Sequence, residues 1–174
     1  MELKTDDLVV YRSAGVCRVI AIEEQCMDGE HDVLYYKLRP LADTNSVYYI
    51  PCETAEDMVR PLLTQEEVLG LIDSMPRMGD DEDFWKDNRR ERKEMYSQIL
   101  KGNDHQALVN MISQLYFRKQ ESEASGKRFS AMDENAMRSA ENLMLQEFGI
   151  VLDKTPDEVR DYIAERVEGQ TAQA

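Results

Sequence analysis

Cysteine, histidine and tryptophan are scarce in this chain of 174 residues, and each scarcity removes a class of chemistry. The three cysteines, Cys17, Cys26 and Cys52, are odd in number and lack CxxC spacing. That argues against a disulfide framework and against a thiolate zinc site, and leaves buried thiols as the simpler expectation. His31 and His105 stand isolated, with no HExxH around them. Asp28-Gly29-Glu30-His31-Asp32 holds metal-binding residue types, but it reads better as a polar hairpin turn in which Gly29 is free to take positive φ. No apolar run reaches the length of a membrane span, about eighteen residues. Met1 is followed by Glu2, Lys4 and two aspartates rather than an apolar signal region, so a soluble cytoplasmic protein is expected. GxGxxG and GxxxxGK[ST] are absent, and no nucleophile stands beside a base. Neither metal nor cofactor is expected, and the function class that remains is binding rather than catalysis.

Positive charge is also scarce: 21 basic residues face 35 acidic ones, giving a net charge of -14. The distribution matters more than the total. Between residues 84 and 128 ten Lys or Arg face six acids, a +4 island in an acidic chain. A localised phosphate-facing surface is the sharper reading of such an island. The single tryptophan, Trp85, sits at its border, between Gly79-Asp80-Asp81-Glu82-Asp83-Phe84 and a basic run from Lys86 to Lys93.

Residues 1–62 carry strand signals. Leu8 to Tyr11, Val16 to Ile22, Val33 to Leu38 and Ser46 to Ile50 are short apolar or tyrosine-rich runs, separated by Ser13-Ala14-Gly15, Asp28-Gly29 and Pro40 to Asn45. With a fifth run near Met58 to Arg60 they predict a small antiparallel β-barrel, whose edge and outer face are open to a partner chain. Residues 63–83 read as a helix capped by Thr64-Gln65-Glu66-Glu67, stopped at Met75-Pro76 and followed by an acidic linker. Residues 84–168 read as an all-α bundle. One helix spans 84–100; the next is capped by Asn103 or Asp104; a third is capped by Ser130 with Asp133 and ended by Gly149; a last one opens at Thr155-Pro156-Asp157-Glu158. Residues 169–174 read as a disordered tail. The fold class is therefore α+β, in two domains.

On a helix starting near residue 84, Lys86, Arg90 and Lys93 share one side, with Trp85 and Arg89 on the side next to it. Such a row of cations grips a phosphate backbone without reading sequence, and an aromatic beside it can press into a base step that is opening. The plainer alternative is equally consistent with the residues: a tryptophan near a helix start packs on its neighbour helix, and the arginines pair with glutamates on the same helix.

The order Asp6-Asp7-Leu8-Val9-Val10-Tyr11, Gly15-Val16, Val19-Ile20-Ala21-Ile22-Glu23, Tyr35-Tyr36-Lys37-Leu38 and Val47-Tyr48-Tyr49-Ile50-Pro51 resembles the CarD / CdnL family of bacterial transcription regulators. The helical half adds Trp85, Arg89-Arg90-Glu91-Arg92-Lys93, Lys101-Gly102-Asn103-Asp104 and Leu115-Tyr116-Phe117-Arg118-Lys119, and the likeness covers about residues 1–165. It implies a Tudor-like barrel that docks on the β subunit of RNA polymerase, and a helical domain that contacts promoter DNA. There a tryptophan enters the minor groove at the upstream edge of the bubble and slows collapse of the open complex. By position, Trp85 is the wedge, with Lys86, Arg89, Arg90 and Lys93 on phosphates. The polymerase surface falls on Ile22, Glu23, Gln25, Val47, Tyr48 and Tyr49. A monomer is expected. Three departures stand out, the first being that the strongly acidic balance of the chain weakens any nonspecific grip on DNA. Gln25 and Tyr49 occupy positions where better-known members carry basic residues, and about one extra helical turn separates Trp85 from Gly102. The alternative function is an acidic adaptor that docks on polymerase without touching DNA.

Overall fold

Short β-branched and tyrosine-rich runs set the first sixty residues into five antiparallel strands: β1 (Leu8–Tyr11), β2 (Gly15–Gln25), β3 (Val33–Pro40), β4 (Tyr48–Pro51) and β5 (Val59–Pro61). The structure, a computed structural model, describes residues 2–11, 14–26, 31–75 and 83–171. The turn expected at Asp28-Gly29, the break at Ser13 and the linker over 76–82 lie outside them. The chain divides into two compact units, Met1–Leu62 and Leu63–Ala174.

In the first unit the strand order is β4-β3-β2-β1-β5. The expected closed barrel is corrected to an open sheet, since among the described residues β4 and β5 lie at opposite ends of that order and do not pair. The cause lies between them. Cys52–Thr54 forms a 3-10 turn and Ala55–Met58 a short helix (α1), so the chain crosses from one edge to the other as helix, not as a hairpin. Ala55 is fully buried with Val9, Val19, Leu38, Ile50 and Val59, so this crossing fills the core that a fifth pairing, β4 with β5, would have sealed. Each fully buried aliphatic side chain here stabilises by about 1.5–3 kcal/mol relative to exposure. The Tyr36 hydroxyl accepts from the Leu3 N–H at 3.2 Å, pinning the segment before β1 to the same core.

β2 departs from simple alternation. Its register against β3 shifts between Val19 and Ala21, a bulge at Ile20 that turns the later residues by one position. Cys17 and Val19 point into the core before it; after it Ile22 stands on the Tyr36 side of the sheet, and Glu23 and Gln25 stand on the outer side.

The second unit is helical: α2 (Gln65–Ser74), α3 (Arg89–Lys101), α4 (His105–Ala124), α5 (Ala131–Leu152) and α6 (Pro156–Thr171). The Thr64 capping box forms as expected, and Thr155 with Glu158 makes the same reciprocal bonds before α6. The stretch 63–83, read as a helix and linker beside the bundle, gives its helix to the bundle core. Val68 and Ile72 pack with Val109, Phe148 and Val159, and the buried Glu147 carboxylate accepts from the Leu63 N–H at 2.9 Å. A second cluster joins α3, α4 and α5 through Tyr96, Met111, Leu115, Met137 and Ala140.

Both ends of α5 and the far end of α6 differ from expectation. Gly149 does not end α5, which runs on to Leu152 and closes on Asp153 in the left-handed region at φ 53°. Gly149 is small for another reason: a Cβ there would lie 2.7 Å from the Lys154 carbonyl oxygen, where the chain folds back towards α6. The Ser130 side chain stands at the N-cap of α5 but makes no capping bond, and the Asp133 carboxylate, which would return one, is turned inward to Arg92 and Tyr96. At the C-terminal end helix continues through residues 169–171, inside the stretch expected to be disordered.

Candidate functional site

α3 starts later than its sequence pattern suggested. Asn88 is its N-cap, accepting from the N–H groups of Arg90 and Glu91 at 2.9 and 3.4 Å, so the helix begins at Arg89. Trp85 and Lys86 therefore lie in the loop before the helix, and the expected row of Lys86, Arg90 and Lys93 along one helix side is not made. Lys86 is exposed and its Nζ donates to the Asp83 carbonyl at 2.9 Å. Arg89, Arg90 and Lys93 are all exposed on α3, and their i, i+3 and i, i+4 spacing keeps them on one side.

Arg92 and Tyr96 occupy the other side. Arg92 is only 8% exposed, and Asp133 on α5 is 2% exposed. The Arg92 Nε donates to Asp133 Oδ1 at 2.9 Å and its Nη2 to Oδ2 at 3.4 Å. Its Nη1 donates to the Lys86 carbonyl at 2.6 Å, and the Tyr96 hydroxyl donates to Asp133 Oδ1 at 2.9 Å. Burial, and then the Asp133 carboxylate it donates to, hold the Tyr96 hydroxyl well above the usual tyrosine range.

Trp85 is half-buried. It packs against the α3/α4/α5 cluster beside Phe84, and two guanidinium groups approach its ring: Arg92 at 4.2 Å and Arg118 at 4.9 Å from the ring centroid. Arg118, on α4, pairs loosely with Glu121 at 3.7 Å. The indole thus forms part of the wall of a cleft of about 720 Å³, together with the end of α4, the start of α5 and the exposed Lys127 and Arg128. Sequence reading had counted Arg92, Arg118, Lys127 and Arg128 only as charge. The exposed members could have been singled out by their place in the basic island; Arg92 could not, since nothing local distinguishes its burial from the exposure of Arg90.

In the first unit the six residues expected to face a polymerase are divided by the sheet. Glu23, Gln25 and Tyr49 point to the outer face. Ile22, 40% exposed, and Tyr48, 36% exposed, stand on the core side; Tyr48 packs on Tyr11 with ring centroids 5.1 Å apart. Val47 is half-buried just before β4. The outer face gains Tyr35 and Lys37, which the register aligns with Glu23 and Tyr49. Lys37 Nζ lies 3.2 Å from Glu23 Oε1 and 5.3 Å from the Tyr49 ring centroid, Gln25 donates to the same Glu23 oxygen at 3.2 Å, and Tyr35 meets Tyr49 edge-on at 6.4 Å. The Tyr49 hydroxyl, and then Glu23, raise the pKa of Lys37. These side chains form one connected amphipathic patch, and β4 beside it is an edge strand.

Among the described residues no three His, Cys, Asp or Glu side chains gather as a metal-ligand set, and no helix is long and apolar enough to cross a membrane. Comparison with known families matches residues 3–63 to the CarD-like/TRCF RID domain, an RNA polymerase-interacting domain. That segment spans the five-stranded sheet, and the match agrees with the CarD / CdnL resemblance of the sequence. No curated protein matches the chain.

Proposed function

We propose, from the premise that residues 3–63 form a CarD-like/TRCF RNA polymerase-interacting domain, that this protein is a cytoplasmic, monomeric, non-enzymatic regulator of transcription initiation. It docks on the polymerase β subunit through its sheet and stabilises the open promoter through the helical unit. The docking surface is the outer patch of Glu23, Gln25, Tyr35, Lys37 and Tyr49 with the β4 edge, where strand addition supplies affinity and the aromatic residues supply specificity. Trp85 contacts the minor groove at the upstream edge of the bubble, and Lys86, Arg89, Arg90 and Lys93 take phosphates.

The observation that carries the DNA reading is the half-buried indole with two guanidinium groups at its ring, in the wall of a cleft that Lys127 and Arg128 also line. An indole held on its protein side and open on the other suits insertion, since its contact surface is ordered before DNA arrives. The protein acts by binding the opened state better than the closed one, and shifts that equilibrium by no more than the difference. Each 1.4 kcal/mol of difference is about tenfold.

A second reading has its own support. Trp85 also packs on the Tyr96–Leu115 cluster, as an adaptor that never touches DNA would have it. Trp85→Ala separates the two. On the promoter reading it shortens open-complex lifetime while polymerase binding persists; an unchanged lifetime with a lowered Tm decides for the adaptor. Tyr49→Ala with Lys37→Ala tests docking: polymerase retention falls, and full retention rejects the outer-face surface.

A further inference from the structure

We propose that Arg92 is the positioning residue of Trp85: it sets the direction of the indole and does not itself contact DNA. The inference rests on the promoter reading for its functional consequence, but its geometric part stands independently.

A guanidinium group offers five N–H donors in one plane and leaves its two faces free. Arg92 uses both resources at once. In the plane, Nε and Nη2 hold the two Asp133 oxygens, and Nη1 holds the carbonyls of Lys86 and Asp87 at 2.6 and 3.4 Å. Its Cζ lies 4.2 Å from the Trp85 ring centroid. One side chain therefore grips the Lys86 and Asp87 carbonyls just after Trp85, the ring of Trp85, and α5. Asp133 is in turn fixed by Tyr96, one turn further along α3. The loop is held at its other end by the Asn88 cap.

Arg118 is the contrast. It also approaches the ring, at 4.9 Å, but its ion pair is a 3.7 Å contact with the exposed Glu121. A loosely tethered arginine can leave the ring for a phosphate, whereas the buried Arg92 is committed to Asp133 and the loop carbonyls. Lysine at position 92 would keep the charge but, as a point donor, would not hold the carboxylate, the loop and the ring together.

The test uses the full-length protein, in which Trp85 is the only tryptophan and so the only indole emitter. Arg92→Lys is compared with Tyr96→Phe, which loosens the same network without touching the loop or the ring. Expected for Arg92→Lys is a rise of roughly twofold or more in acrylamide quenching of Trp85 and a red-shifted emission. Its open-complex lifetime on polymerase falls towards that of Trp85→Ala. Tyr96→Phe lowers Tm but keeps wild-type quenching and lifetime. The proposal is overturned if Arg92→Lys lowers Tm and leaves quenching unchanged, or if both variants change quenching equally. It also fails if Arg92→Lys frees the indole while lifetime stays at the wild-type value and Trp85→Ala shortens it. Should Trp85→Ala leave lifetime unchanged, it is the promoter reading that fails, and quenching alone then decides whether Arg92 sets the indole.

Discussion

Replacing Asp133 with alanine removes the one carboxylate that Arg92 and Tyr96 share. Both charged side chains are almost dry, with side-chain exposures of 10% for Arg92 and 3% for Asp133. Breaking such a pair leaves a buried cation without a counter-charge and costs about 3–5 kcal/mol. The Tyr96 hydroxyl loses its acceptor as well, adding about 1–3 kcal/mol where water cannot reach it. Even the low end of that sum, about 4 kcal/mol, lowers the Tm of the helical unit by roughly 10–20 °C. The pair itself is not thereby shown to be stabilising, because desolvation offsets most of its Coulomb attraction. Hence Arg92→Met, Tyr96→Phe and Asp133→Leu together, which remove the three polar side chains at once and leave only the part-buried Lys86 and Asp87 carbonyls without their donor, are expected to recover stability to within about 1–2 kcal/mol of wild type. Urea unfolding followed by far-ultraviolet circular dichroism measures all three proteins, the wild type, Asp133→Ala and the triple variant. A cost below about 1 kcal/mol for Asp133→Ala would place the pair in the class of solvent-screened surface bridges and refute the reasoning. A triple variant no better than the single one would refute its second half.

The raised pKa of Tyr96 makes stability pH-dependent at the alkaline end: folding favours the neutral phenol, so its contribution is complete below the unfolded value near 10 and is lost as pH rises towards the folded one. Stability should fall above pH 10, and fall less in Tyr96→Phe, in urea titrations at fixed pH. Gly149→Ala sets a helix-propensity gain of about 1 kcal/mol against a Cβ placed 2.7 Å from the Lys154 carbonyl. Overpacking against backbone costs about 1–3 kcal/mol, so a net loss is expected, and a stabilised variant would contradict it. Burial pushes the Cys17 thiol up to about 11, whereas Cys26 is exposed. At pH 8 a thiol reagent should label Cys26 rapidly and Cys17 only on unfolding, as peptide mapping by mass spectrometry would reveal.

Periodicity made the elements legible where one residue decided one bond. Thr64 with Glu67 and Thr155 with Glu158 are reciprocal caps within four residues, so their partners are fixed by the chain itself. Ser130 with Asp133 has the same local form and does not make the reciprocal box, for a buried arginine forty-one residues away takes the carboxylate. Nothing local records that competition. The sheet failed in the same manner. Its strands were readable from tyrosine and β-branched runs, but closure depended on whether Cys52–Met58 crossed as strand or helix. Alternation along β2 and β4 divides Ile22 and Tyr48 from Glu23, Gln25 and Tyr49, and the bulge at Ile20 sets which face each β2 residue takes.

The added residues between Trp85 and Gly102 take on a different meaning once Trp85 is seen outside α3. On a helix, an extra turn would carry the indole around the axis and change what it faces. In a loop ahead of the helix, its direction depends on contacts made from α3, α4 and α5, and lengthening α3 at its far end leaves Arg92, Asp133 and the loop carbonyls in register. Net charge bears on the same question. Residues 1–62 hold six basic and twelve acidic residues, and residues 63–174 hold fifteen and twenty-three, so both units repel DNA at long range. On the proposed reading, few phosphate contacts then give weak binding with a shallow salt dependence for the isolated protein. Polymerase docking supplies the rest by raising the local concentration of DNA around the helical unit. Promoter dependence on Trp85 should therefore appear only in the ternary complex, and an electrophoretic shift of free promoter DNA at physiological salt, by this chain alone, would show that the tethering argument is wrong.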